Sequence, residues 1–160
     1  MNAATTRSHR TIRSIGTVLL VAVLALGATA CGHVMMMIHG TGATPPPAGE
    51  FGLGPRLSTT GLYTATLDAD QPLQTRRLQT VRVRVADASG RALDGASIRV
   101  DGGMPQHGHG LPTAPRVTAN AGDGIYVIEG VRFNMGGWWE FTLAITSAAG
   151  TDQVTFNLQL

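Results

Sequence analysis

The chain has 160 residues, 12 basic and 10 acidic side chains, and a charged content of only 14%. All the basic residues are arginines, and Arg7, Arg10 and Arg13 precede every carboxylate, so the rest of the chain holds nine arginines against ten acids, a net of −1. That balance excludes the clustered basic field that holds nucleic acid, and the single cysteine excludes an internal disulfide framework.

Residues 1–30 predict a signal peptide or membrane anchor. The three arginines form a positive leading region, residues 15–26 are an apolar or neutral run of 12, and Ala28-Thr29-Ala30 supplies a small-x-small cleavage pattern. The run is shorter than the ~20 residues of a comfortable membrane span. Cys31 follows directly and resembles the lipidated cysteine of bacterial lipoproteins, although Ala28 stands where leucine is usual. Ordinary cleavage that leaves a free thiol, or an uncleaved anchor, are the alternatives. In every case the expectation is an exported protein on the periplasmic side of a bacterial envelope, tethered to the membrane by the lipidated Cys31 or an uncleaved leader and released only by ordinary cleavage.

Residues 31–61 predict a disordered tether. From Gly40 the composition turns to Gly, Pro, Thr and Ala around Pro45-Pro46-Pro47, too poor in apolar area to offset ordering entropy and semi-rigid at the prolines. Its first part holds His33-Val34-Met35-Met36-Met37-Ile38-His39. Such residues can capture Cu(I), but an apolar patch resting against lipid headgroups explains them more simply.

Residues 62–160 predict a single all-β domain. Val81, Val83 and Val85 alternate with Arg82 and Arg84, and the same period of two recurs through Trp139, Phe141, Leu143 and Ile145 and again through Val154, Phe156, Leu158 and Leu160. That is the period of a half-buried strand. Residues 96–100 and 125–131 make shorter strands, while 63–67 and 117–119 carry weaker signals. Ser89-Gly90, Asp94-Gly95, Asp123-Gly124 and Ala149-Gly150 punctuate them. About seven short strands without an amphipathic helix predict an immunoglobulin-like antiparallel β-sandwich. The approach Asp123-Gly124-Ile125-Tyr126 resembles a tyrosine corner, which makes Tyr126 structural.

Residues 101–115 interrupt the pattern with four glycines and three prolines, and loops of this length in a compact domain are functional or disordered. Within them Met104-Pro105-Gln106-His107-Gly108-His109-Gly110 places one thioether and two imidazoles close together. If His107-Gly108-His109 is extended, both rings point to one side. Met104 and Met135 could then complete a His2Met or His2Met2 set. Imidazole suits many transition metals and thioether the soft ones, so such a set favours Cu(I), with Cu(II) or Zn(II) open to the histidines alone. The competing reading makes His107 and His109 solvated loop residues and the two methionines flexible core fillers. Trp138, out of phase with inward Trp139, is expected to point outward as a partner-binding platform or to lie as a lid on its own loop.

The run from Met104 to Thr113, followed by Pro115-Arg116-Val117-Thr118, Gly124-x-Tyr126, Gly130-Val131-x-Phe133-Asn134-Met135 and Trp139-Glu140, resembles the YtkA-like domain family over most of residues 62–160. The resemblance implies an exported immunoglobulin-like sandwich related to the FixH-like proteins associated with copper oxidase assembly. Gly136 departs from the proline expected after the methionine. Two functions therefore compete: a copper-binding module that delivers or buffers the metal in the cell envelope, and a metal-independent domain that docks on another envelope protein. An enzyme is the least expected class, since no nucleophile, base and carboxylate fall into a matching arrangement.

Overall fold

The computed structural model describes residues 42–160. The signal segment, Cys31 and the His33–His39 cluster lie outside the described residues. Among those described, no helix is long and apolar enough to cross a membrane.

The alternating valines and aromatics produce the sheets they predict. After a single 3-10 turn at Ala48–Glu50 come β1 (Arg56–Leu57), β2 (Tyr63–Asp68), β3 (Gln79–Asp87), β4 (Ser97–Met104), β5 (His109–Gly110), β6 (Arg116–Gly122), β7 (Ile125–Val131), β8 (Trp138–Ser147) and β9 (Gly150–Gln159). They form a five-stranded sheet in the order β1-β2-β3-β7-β6 and a four-stranded sheet in the order β5-β4-β8-β9. Every ladder between them is antiparallel. Without the two-residue strands β1 and β5, this is the A-B-E-D and C-F-G arrangement of an immunoglobulin constant-type sandwich. The expected fold class is the observed one.

The core lies between the sheets. Val81, Val83 and Val85 of β3 face Trp139, Phe141, Leu143 and Ile145 of β8 and Val154, Phe156 and Leu158 of β9, all buried. Phe133 meets Trp139 edge-on at 5.2 Å and Phe141 at 6.3 Å, the geometry favoured by the ring quadrupoles.

Two tyrosines lock one end of the sandwich. The Tyr126 hydroxyl donates to the Leu93 carbonyl at 2.7 Å and accepts from the Ala96 amide at 2.9 Å. It therefore ties the crossover from β3 to β4. Tyr126 is structural, as expected, but it stands on β7 and reaches about thirty residues back. A tyrosine corner instead sits on the F strand and bonds its near neighbourhood. Tyr63 does the same for the β8–β9 turn, donating to the Gly150 carbonyl at 2.6 Å and meeting Ser147 Oγ at 2.8 Å.

The folded domain begins earlier than composition suggests. β1 pairs with β2, Phe51 bridges Asn157, and the amides of Gly52 and Thr59 donate to Asn157 and Gln153 of β9, each at 2.9 Å. The Thr60 amide and hydroxyl both donate to the Asp152 carboxylate, at 2.9 and 2.7 Å. Residues 51–61, assigned above to a disordered linker, are thus part of the folded domain. Backbone pairing and one buried carboxylate hold them, and neither has a hydrophobic signature.

Candidate functional site

The two histidines stand at the end of the sandwich opposite the tyrosine locks. β4 runs on through Asp101, Gly102 and Gly103 to Met104, turns, and returns as β5. Glycine is required along this path, because a Cβ on Gly102 would sit 2.6 Å from the Glu140 carbonyl oxygen of β8. The interruption expected over residues 101–115 is therefore a strand end and a tight hairpin. Met104 opposes His109, and the Met104 carbonyl accepts from the amides of both His107 (3.0 Å) and Gly108 (2.9 Å).

His107-Gly108-His109 is not extended. Gly108 turns with φ of 68°, a left-handed conformation that glycine adopts without cost. The turn nonetheless brings the imidazoles together: their ring centroids are 5.6 Å apart and their planes differ by 11°. Both residues are exposed. Their pairing is a product of hairpin geometry and not of strand alternation.

The methionines do not join them at the surface. Met104 is paired with exposed His109 across the hairpin, but its own side chain enters the core and is 1% exposed. Its methyl fills the space beside Gly137, where a Cβ would come within 2.9 Å of it. Met135 is half-buried and packs against the same core, and its carbonyl accepts the Trp139 indole N–H at 3.0 Å. The expected four-ligand constellation of Met104, His107, His109 and Met135 is thus divided into an exposed imidazole pair and two apolar fillers. Among the described residues no three His, Cys, Asp or Glu side chains converge on one point.

Trp138 also departs from expectation. Its phase on β8 is outward, as predicted, but its indole N–H donates to Asn157 Oδ1 at 2.9 Å and the residue is 6% exposed. A buried indole is no platform, and the hydrogen bond to β9 explains why it closes down. What the outer face of this sheet offers instead is an open groove of about 540 Å³, bordered by Arg99, Asp101, Gly103, His109, Glu140 and Thr142. The outward phase of Arg99, Asp101, Glu140 and Thr142 could have announced these borders in the sequence, but the glycine floor could not.

A family model described as YtkA-like matches residues 57–144, from β1 to the middle of β8. No curated protein and no solved structure matches the chain.

Proposed function

The chain belongs to the YtkA-like family, and from that premise we propose that it is a non-catalytic binding module of the bacterial cell envelope, tethered at Cys31 or by its leader, which takes up copper on the His107–His109 hairpin for delivery or buffering. The observation that carries this reading is the stacked pair of exposed imidazoles 5.6 Å apart. Two metal–nitrogen bonds of ~2 Å span about 4 Å, so modest side-chain rotation brings one nitrogen of each ring into reach of a shared ion. The hairpin bears much of the ordering cost in advance.

Imidazole accepts Cu(I), Cu(II) and Zn(II), so two such ligands select less sharply than a set with thioethers would. They also leave the rest of the coordination sphere open. That suits a site from which a partner completes the coordination and removes the ion, and it suits long-term storage poorly. The competing reading, metal-independent docking through Trp138, loses its contact residue to the sheet.

The test is a Cu(I) titration of the full chain against a competing chelator, beside a His107→Ala/His109→Ala variant. Residues His33 and His39 provide a background in both proteins, so the measured quantity is the difference. Loss of one equivalent in the double variant is expected. Equal stoichiometry and affinity in the two proteins would overturn the reading.

A further inference from the structure

The edge of β4 beside the hairpin has open hydrogen-bonding groups. Gly102 turns its backbone away from β8, since its carbonyl accepts from the Leu111 amide at 3.0 Å and its amide donates to Asp101 Oδ1 at 2.7 Å. By strand alternation Ile98 and Val100 present their N–H and C=O groups to the same side. Among the described residues, β5 covers that side only at Gly103 and Met104, and the four groups of Ile98 and Val100 meet no partner. The side chains of Ile98 and Val100 point inward yet stay half-buried, at the edge where β6 of the opposite sheet comes near β4.

The other edges are guarded. β6 carries two register shifts, which twist and interrupt an edge. Residues 51–60 cover β9, and β1 is two residues long. β4 pairs with β8 in unbroken register from Ser97 to Gly103, so its outer edge is straight. In immunoglobulin-like variable domains this is the edge to which further strands are added.

A second copy of the chain does not fit there. Antiparallel pairing centred on Val100 sets Ile98 against Gly102, whose carbonyl is already taken by Leu111. Centring on Arg99 opposes two like charges, which is unfavourable. Centring on Ile98 sets Val100 against Ala96, whose amide already donates to Tyr126.

We propose that the Ser97–Asp101 edge of β4 accepts an extended segment of a partner protein as an added antiparallel strand. Its chemistry follows from the register. Residues opposite Val100 and Ile98 face inward and are apolar. The residue opposite Asp101 faces outward beside Asp101 and Glu140 and is basic. The residue opposite Arg99, which forms no ion pair among the described residues, is acidic. Read from its N-terminus, the segment is basic, apolar, acidic, apolar, and its four inter-strand hydrogen bonds use the open groups of Val100 and Ile98. Main-chain bonds supply affinity in this mode and alternate side chains supply specificity. Metal at the hairpin is not required.

The probe is a labelled, end-blocked peptide Thr-Lys-Val-Glu-Val-Thr, titrated against the full chain by fluorescence anisotropy. Binding tighter than about 1 mM is expected. N-methylation of the first valine, whose amide would donate to the Val100 carbonyl, should weaken binding at least ~10-fold, the loss of about 1.4 kcal/mol. The peptide with Lys and Glu exchanged should bind more weakly and recover on the Arg99→Glu/Asp101→Lys variant. No binding at 1 mM peptide, equal binding of the N-methylated peptide, or absence of charge-swap recovery would overturn the proposal. So would a dimer of the full chain in sedimentation whose formation excludes the peptide.

Discussion

Truncation and conservative replacement of Met104 separate a core residue from a metal ligand. The side chain is 1% exposed and ends against Gly137. Buried Met→Ala changes cost about 2–5 kcal/mol, the value depending on how far the surroundings collapse into the void. Here collapse is restricted from both sides. The Met104 carbonyl is held by two hairpin amides, and Gly137, at φ 122°, is paired in both directions with Leu160. Met104→Ala should therefore fall in the upper part of the range, about 4–5 kcal/mol, which at about 4 °C per kcal/mol lowers Tm by roughly 16–20 °C. Met104→Leu conserves volume and should cost less than about 1.5 kcal/mol. Denaturant melts of the three proteins measure both numbers. Copper uptake below the melting range should be the same in the native protein and the leucine variant, because the ion is assigned to the imidazoles. A leucine variant that folds normally but loses copper would place the thioether among the ligands and refute the argument. An alanine variant that loses less than about 1 kcal/mol would refute the packing.

Tyr126→Phe removes both the donor to Leu93 and the acceptor for Ala96; stranding these partly buried backbone groups should cost about 1–3 kcal/mol in denaturant melts, with faster amide exchange at Ala96. Gly137→Ala should destabilise by about 1–2 kcal/mol, since the Met104 methyl can yield but a φ of 122° cannot suit an alanine; an unchanged midpoint would show that the turn relaxes freely. In acid, Asp87 and Asp152 carry the large shifts, while the Arg82 guanidinium also lowers exposed Asp70. The Ser89 hydroxyl, with amide and side-chain bonds from Arg91 and Ser89, holds Asp87 down to about 2. Burial pulls Asp152 upward, but bonds from Ser58, Thr60 and the Gln153 amide outweigh it and hold the group well below the ordinary carboxylate range. Because both folded values are depressed, the unfolded chain takes up protons first. Their stabilisation is complete above about pH 4 and is lost as pH falls through the folded values. Asp152→Asn should flatten that acid limb, and an equally steep decline would count against the clamp between Thr60 and β9.

What could be read from the sequence divides at the glycines. Where apolar side chains alternate, as in Val81-Arg82-Val83-Arg84-Val85, a period of two reports directly which face is buried, and the sandwich follows. β4 shows how the same signal fades: Ile98, Val100 and Met104 share one phase, but Gly102 stands at the intervening position and carries no side chain to mark it. Continuing that phase through Gly102 assigns Met104 to the core; stopping the strand at Val100 leaves it in a loop, free to be counted as a ligand. The glycine is there because β8 passes too close for a Cβ, a tertiary cause that no local pattern records. Trp138 fails in the converse way, since its outward phase was legible but the Asn157 bond that lays it down depends on register with β9. Residues 51–61 join the domain through backbone pairing and the Asp152 clamp, interactions that composition does not weigh. The imidazole pair was anticipated in membership and mistaken in mechanism, because its rings meet through a left-handed turn at Gly108. The same run of small residues therefore shapes the strand end, the ring pair and the straight edge beside them. In this chain the stretches that obscure the periodic signal are the ones on which the proposed binding surfaces rest, at the end of the sandwich opposite the two tyrosine locks.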